Sequence, residues 1–445
     1  MTAEATGAAP SRKRASVHTL GCRLNQSESA IIAEQLRAQG YELVPFGETA
    51  DLGIINTCTV TGEADSKSRQ LVRAFVRKNP DAYTAVIGCY AQMGFKAISE
   101  IEGVDLIVGN QEKLNVLAYA AQGKNNRPVI VRDRIDCDDF TIEVVGDAPV
   151  SRRANLKIQD GCDFMCSFCI IPFARGRARS REFANLLEEA RQLAGRGAKE
   201  LVLTGVNVGT YDYAGNGILD VIDALNEIPG IERIRISSIE PTTIPDGVFD
   251  RMNDEAHALV PYLHIPMQSG SNKVLGLMKR RYTREEFVDF INHAQAAVPD
   301  LCIGTDIMVG MPGECDDAFA ETVALLEHNP VRYAHAFTYS ERAGTASVKL
   351  AGKVDSQTMN RRSAIIRRIS AGKREAFYKE FSGREMDVLF ECEENGYWTG
   401  YTGNFIRVAV RSSSDMKNII ETVRLEQLCG DLMEGTLVSE ALVSR

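Results

Sequence analysis

Gly161-Cys162-Asp163-Phe164-Met165-Cys166-Ser167-Phe168-Cys169 is the stretch on which the reading of this 445-residue chain turns. Its cysteines, spaced CxxxCxxC, gather three thiolates in one short loop. A closed zinc or ferredoxin-type shell takes four ligands, so this one leaves a metal corner open to a substrate. A zinc site completed from elsewhere is the competing reading, weakened because no histidine lies in the loop or just after it. Three unrelated buried cysteines are a second alternative, but free cysteines seldom cluster this tightly unless they bind or react. Phe168, directly before the last cysteine, can shield a bound group from water.

A second trio lies upstream: Cys22 in SVHTLGC, Cys58 in DLGIINTC and Cys89 in YTAVIGC. Each ends an apolar run that reads as a β-strand, and the intervals approach the ~30 residues of a βαβ unit. Helical patterns fill the gaps, from about Ser27 to Gln39 and from about Glu63 to Lys78. Ligands of doubly wound sheets bind beyond the carboxyl ends of the strands, so three cysteines placed there would face one another. The alternative is a small buried residue at each strand end.

CxxxCx(aromatic)C resembles the cluster loop of the radical S-adenosylmethionine enzymes. The resemblance implies a 4Fe-4S cluster on Cys162, Cys166 and Cys169, with S-adenosylmethionine completing the fourth iron and yielding a 5′-deoxyadenosyl radical on reduction. The runs TLGCRLNQSES, IINTCTVTGEADSKSRQLVR and IGCYAQ resemble the amino-terminal domain of the methylthiotransferases, which implies a second, auxiliary 4Fe-4S cluster on Cys22, Cys58 and Cys89. The TVTGEADSKSRQ continuation and KIQDGCDFMCSFCIIPFARGRARSR are most similar to the branch acting on N6-threonylcarbamoyladenosine in tRNA. The resemblance spans about His18 to Leu437.

That branch implies radical removal of hydrogen from adenine C2 at tRNA position 37, sulfur insertion, and methyl transfer from a second S-adenosylmethionine. Both clusters must then reach one nucleobase. Sulfur donor and reductant stay unspecified, and no general acid or base is assigned. Sibling branches act on N6-isopentenyladenosine in tRNA or on a ribosomal-protein aspartate. From another class, a non-catalytic iron–sulfur electron carrier or RNA-binding scaffold is the alternative, but two open-cornered trios suit simple electron transfer poorly.

Length and composition are those of a multidomain enzyme. The chain is long enough for about three domains, and 44% hydrophobic residues suffice for buried cores. No apolar run approaches the ~18 residues of a bilayer span, so no membrane association is expected, and MTAEATGAAPSRKR lacks the apolar stretch of a secretory signal. Six of the 11 cysteines are needed as thiolates, which points to a reducing, cytoplasmic setting. Cys137, Cys302, Cys315, Cys392 and Cys429 have no ligand-like spacing.

The expected architecture is α/β. A disordered tail (1–14) precedes a doubly wound, flavodoxin-like domain (15–127) and a linker (128–147). A partial (β/α)6 radical S-adenosylmethionine barrel (148–378) and a small β-barrel resembling the TRAM domain (379–445) follow. Barrel strands are expected at Asn155–Gln159, Glu200–Gly205, Arg233–Ile239, Tyr262–Ile265, Ile303–Met308 and Ala334–Tyr339, with helices such as Phe183–Ala194 and Arg284–Ala297. Cofactor contacts are sought after the strands. By analogy with the superfamily these are Gly205, Asn207, Glu240 and Gln268, with Phe168. A strand-end turn is the bland reading for Gly205, and a satisfied core histidine that for His264.

A net charge of −9 excludes a uniformly basic nucleic-acid binder, so tRNA contacts must come from local patches. Arg69, Arg73 and Arg77 recur on one helix face after Cys58, and Arg175, Arg177, Arg179 and Arg181 alternate beyond Cys169. In the terminal domain Tyr401 and Arg407 offer a stacking plane and a cation, although period-2 alternation sends about half of that hairpin's rings inward.

Overall fold

The computed structural model describes residues 12–143 and 153–439 and divides into two compact units. The first holds the chain up to Asp136, Glu143 and Phe173–Arg175, and the second holds Cys137–Ile142 and the rest.

The first unit is built on β1 (Arg14–Thr19), β2 (Glu42–Leu43), β3 (Leu52–Thr57), β4 (Tyr83–Gly88), β5 (Leu106–Val108) and β6 (Val129–Val131). All pair in parallel, in the order β2-β1-β3-β4-β5-β6, the flavodoxin-like winding with one strand added. LGIINT in β3 is buried along its whole length because helices cover both faces, so its apolar run shows no alternation. The helices Arg23–Ala38 and Gly62–Lys78 fill the expected gaps, the latter capped by Thr61, whose side chain accepts from the Ala64 amide.

Two boundaries differ from expectation. Arg14, placed in the tail, opens β1, and its amide donates to Asp51 at 2.7 Å; residues 1–11 lie outside the described chain. Val129–Val131, placed in the linker, is a sheet strand paired with β5, and three residues were too few to show a period. Of the linker, 144–147 lie outside the described residues.

The second unit carries β7 (Ala154–Lys157), a small ribbon of β8 (Gln159–Asp160) and β9 (Arg179–Ser180), then β10 (Glu200–Thr204), β11 (Arg233–Ile236), β12 (Tyr262–His264), β13 (Cys302–Val309) and β14 (Tyr333–Thr338). The six barrel strands fall where expected but divide into two parallel sheets, β11-β10-β7 and β12-β13-β14. These are stitched by an Ile234–Leu259 bridge and by the Ile239 amide donating to His264 at 3.1 Å. Leu201, Leu203, Ile234, Ile236, Leu263, Ile303 and Ile307 enter the large apolar core with the helices. Strand alternation sends Glu200, Arg233, Arg235, His264, Asp306 and His335 to the opposite, inner face.

Five further strands, β15 (Glu385–Glu394), β16 (Tyr397–Thr402), β17 (Arg407–Arg411), β18 (Ile420–Cys429) and β19 (Leu432–Leu437), close into a barrel in the order β15-β16-β17-β19-β18. Antiparallel pairs are joined by one parallel pair, β17 with β19. Its core is continuous with Val260, Tyr262, Cys302 and Phe377 of the preceding domain. Arg233 reaches the carbonyl oxygens of Tyr401 and Asp387 at 2.9 and 2.7 Å, and Arg235 that of Gly403 at 2.8 Å, while Glu200 neutralises Arg235 at 2.6 Å. No described helix is long and apolar enough to cross a membrane.

Candidate metal centres

In the first unit β1, β3 and β4 are neighbours in register, Thr19 beside Asn56 and Thr57 beside Gly88. Cys22 therefore caps the helix after β1, Cys58 follows β3, and Cys89 opens the helix after β4, all at one end of the sheet. Two glycines permit the approach. Gly21 has φ +98°, and a Cβ there would sit 2.8 Å from Cys58 Cβ and 3.0 Å from its Sγ; Gly88 has φ +95°, and a Cβ would meet Asn56 Oδ1 at 2.4 Å.

Amides lock the turns. Asn25 Nδ2 donates to the carbonyls of Leu20 and Thr57 at 2.7 and 3.1 Å, and Asn56 Nδ2 to Asn25 O and Ser29 Oγ, each at 3.0 Å. Asn110 Nδ2 lies 3.5 Å from Cys89 Sγ. Burial pushes the Cys58 thiol up to about 11, so it is protonated at neutral pH until a cation displaces the proton.

Beneath this trio lies an ion network the sequence did not announce. Glu28 takes Lys113 Nζ at 2.5 Å and Arg175 Nη1 at 3.1 Å, while Arg175 Nη2 donates to Asn25 Oδ1 at 2.5 Å. Arg175 is 1% exposed. Expected among the tRNA contacts, it is out of reach of a phosphate, because its charge is spent on Glu28, 147 residues away.

In the second unit the cysteine loop leaves β8 through Gly161, φ +71°, where a Cβ would lie 1.8 Å from Arg177 O. The loop is pinned by Cys162 N to Gly176 O at 3.2 Å, Cys169 N to Cys166 O at 3.1 Å, and Ser167 Oγ to Leu277 O at 2.6 Å. Phe168 packs with Val274, Met278 and Met311, forming an apolar wall beside Cys169, whose thiol burial pushes up to about 12.

Arg280 Nη1 donates to Cys166 Sγ at 3.3 Å, while its other nitrogen pairs with Glu240. Tyr282, next to it, donates to the carbonyls of Pro266 and Met267 at 2.8 Å. Arg280 belongs to the run Lys279-Arg280-Arg281, which the sequence leaves open between a phosphate-binding patch and a solvated face, and only the fold turns it back onto the loop.

Of the residues expected at the cofactor, Asn207 and Glu240 are hydrogen-bonded to each other, and Glu240 reaches the cysteine loop through Arg280. Gln159 Oε1 accepts from the amides of Val206 and Asn207 at 2.8 and 3.1 Å, and sits 2.8 Å from where a Gly205 Cβ would be. Asn207 Oδ1 accepts from the Glu240 amide at 3.2 Å, leaving its Nδ2 buried without a hydrogen-bond partner. An orphaned buried donor of this kind is what a polar cofactor would satisfy. Burial raises the Glu240 carboxyl, against the pull of Arg280. Gln268 takes φ +70°, and its amide donates to Asp306 O at 2.8 Å.

Among the described residues, one group of three His, Cys, Asp or Glu side chains has all its ligand atoms within 4.8 Å: His264, Asp306 and His335, neither cysteine trio. A single tetrahedral zinc holds thiolates about 3.8 Å apart. The donor chemistry of each trio, three thiols and no histidine, suits an iron–sulfur group that keeps one corner open.

The remaining arginines divide by exposure. Arg73 and Arg77 are exposed on the helix Gly62–Lys78, whereas Arg69 is half-buried and donates to Tyr90 Oη at 2.5 Å. Arg177 is exposed and faces Asp163 at 3.3 Å; Arg179 is buried with its guanidinium 5.5 Å from the Phe140 ring, which removes it from the surface patch expected there. Tyr401 stacks on Phe405 at 4.8 Å and carries Arg153 at 4.5 Å, so its ring is engaged within the protein. Arg407 meets Asp431 at 3.2 Å.

Two family models match, the Radical SAM superfamily over residues 156–326 and uncharacterized protein family UPF0004 over 14–109. The threonylcarbamoyladenosine tRNA methylthiotransferase MtaB of Bacillus subtilis (strain 168) is 37% identical over 95% of both chains. The Aquifex aeolicus (strain VF5) protein of that name is 35% identical over 85% of this chain and 92% of its own. A tRNA-2-methylthio-N(6)-dimethylallyladenosine synthase of Geobacillus thermodenitrificans (strain NG80-2) is 31% identical over 96% and 84%. Among solved structures, the radical S-adenosylmethionine methyltransferase TsrM from Kitasatospora setae shares the fold, with TM-score 0.54, 16% identity and 73% of each chain covered. With its second unit matching the superfamily that uses S-adenosylmethionine and a 4Fe-4S cluster, this chain belongs to the radical S-adenosylmethionine methylthiotransferase family, on the MtaB branch.

Proposed function

We propose that the chain is a two-cluster tRNA methylthiotransferase that converts N6-threonylcarbamoyladenosine at position 37 to its 2-methylthio derivative. The observation that carries this is the pairing of two open-cornered thiol trios, one across three adjacent strand ends and one within a single loop. The names of the most similar relatives agree on the nucleoside.

Cys162, Cys166 and Cys169 would hold one 4Fe-4S cluster, and Cys22, Cys58 and Cys89 an auxiliary one. Bound there, the first, with S-adenosylmethionine, supplies the radical that removes hydrogen from adenine C2, and the second supplies the sulfur. The protein's own part is placement and exclusion of water. Phe168 and its methionine neighbours keep the loop dry. Arg280 holds a positive charge against Cys166, and Asn207, with Gly205, Glu240 and Gln268, lines the place for the cofactor's polar end. Arg73, Arg77, Arg177 and Arg407 are the arginines left to meet phosphates.

The test is nucleoside mass spectrometry of tRNA from a deletion strain, alone and complemented. The methylthio form of threonylcarbamoyladenosine should vanish and return. Its persistence would overturn the assignment, and loss of the methylthio isopentenyl nucleoside instead would move the chain to the sibling branch.

A further inference from the structure

The inner face of β12, β13 and β14 holds a polar group that neither trio uses. His264 Nε2 lies 3.1 Å from Asp306 Oδ1, and the His264 and His335 rings are 5.6 Å apart. Register brings them together, for Gly304 pairs with His264 on one side and Tyr333 on the other, and Asp306 stands opposite His335. Farther along, Met308 stands opposite Phe337, which is 45% exposed, and Met308 packs on the same cluster of Val274, Met278 and Met311 as Phe168 of the cysteine loop. Two residues of strand, about 7 Å, separate this apolar pair from the polar group.

His335 also lines a cavity shared with Arg374, Arg407, Tyr401 and Phe405. Arg374, on the helix Ser356–Lys379, is exposed and makes no hydrogen bond or ion pair with any described residue. Partial desolvation, with His264 and the Arg374 guanidinium nearby, holds His335 below the ordinary histidine range, and Asp306 offsets part of this. The group thus combines unspent donors with one carboxylate acceptor, tied to His264.

The geometry points to this face as the pocket that reads the amino-acid arm on N6 of the target nucleoside, its carboxylate met by His335 and Arg374 and its hydroxyl or carbamoyl N–H by Asp306. The inference rests on the nucleoside reading above and adds how that arm is told from an apolar one. N6 and C2 flank N1 on one edge of adenine and their exocyclic bonds diverge, so a base held at Phe337 and Met308 with C2 toward the cysteine loop can send its arm along the strands to His335. The contact from the Arg374 guanidinium is charge-assisted, the strong kind of hydrogen bond. An isopentenyl arm offers these groups no hydrogen bond, and a site built to hydrogen-bond a substrate rejects the analogue that lacks the bonding group.

The test uses the full-length enzyme, reconstituted anaerobically, and anticodon stem-loop RNAs bearing threonylcarbamoyladenosine, its carboxyl methyl ester, or isopentenyladenosine. The wild type should prefer the free acid to the ester by about 100-fold in kcat/KM. His335→Leu and Arg374→Gln should erase that preference mainly through KM, with iron content and RNA-independent 5′-deoxyadenosine release unchanged, and Arg374→Lys should restore part of it. Variants that keep the preference overturn the inference. So does an equal loss for all three RNAs, the mark of a backbone phosphate contact. Loss of iron, or a zinc or manganese ion that His335→Leu releases, overturns it as well. A wild type that ignores the threonylcarbamoyl RNA defeats the nucleoside assignment instead.

Discussion

The two cysteine trios reach the same ligand count by opposite routes. Cys162, Cys166 and Cys169 share one loop, held by local hydrogen bonds and by Arg280. Cys22, Cys58 and Cys89 meet only because three strands lie side by side in register. The loop trio survives or fails with its own turn geometry, whereas the sheet trio depends on the whole first unit. The contrast fixes where each should be vulnerable.

The largest effect separates them chemically. Cys162→Ala should abolish 5′-deoxyadenosine formation, while Cys58→Ala should leave it and abolish only the methylthio product. Anaerobic product analysis with iron and sulfide counts would show it, and a Cys58→Ala protein that releases no 5′-deoxyadenosine would erase the distinction.

Next in size is the ion network under the sheet trio. Arg175→Met strips one of two cations from buried Glu28, and because Lys113 stays, the cost should fall below the about 3–5 kcal/mol of a buried charge left uncompensated. Urea unfolding followed within the first unit should show that loss. An unchanged midpoint would make the network dispensable.

Glycine replacements sharpen the comparison. Gly21→Ala forces a Cβ to 2.8 Å from Cys58 Cβ at φ +98°, and Gly161→Ala forces one to 1.8 Å from Arg177 O. The left-handed backbone alone costs each about 1–3 kcal/mol, and at Gly161 the overlap with a main-chain oxygen adds to it. The first should lower iron bound by the sheet trio alone and the second that bound by the loop alone, read in backgrounds where the other trio is deleted.

The smallest effects concern RNA. Arg73→Ala, on the helix that follows Cys58, and Arg177→Ala, in the stretch that follows Cys169, should each weaken binding of every RNA alike and reduce the slope of log Kd against log salt by about one. Filter binding at several salt concentrations checks it. A slope that stays put would remove that arginine from the interface.

Legibility in the sequence follows the same division. Both trios were readable, one by spacing and the other because apolar runs each ended in cysteine, and the six barrel strands came from alternation with helices. What stayed hidden were partners chosen by tertiary contact. Arg175 and Glu28 are 147 residues apart, and Arg280 and Cys166 are 114 apart, so no local pattern marks either pair. An alternating run of arginines reads as a patch whichever members are buried. Here Arg175, Arg179 and Arg181 went inside, and Arg177 stayed out.

Arg233 and Arg235 grip the terminal barrel by main-chain carbonyl oxygens at Asp387, Tyr401 and Gly403. Main-chain oxygens survive any exchange of side chain, so this part of the mounting tolerates substitution at those three positions. The rest rides on the shared apolar core at Val260, Tyr262, Cys302 and Phe377 and does not.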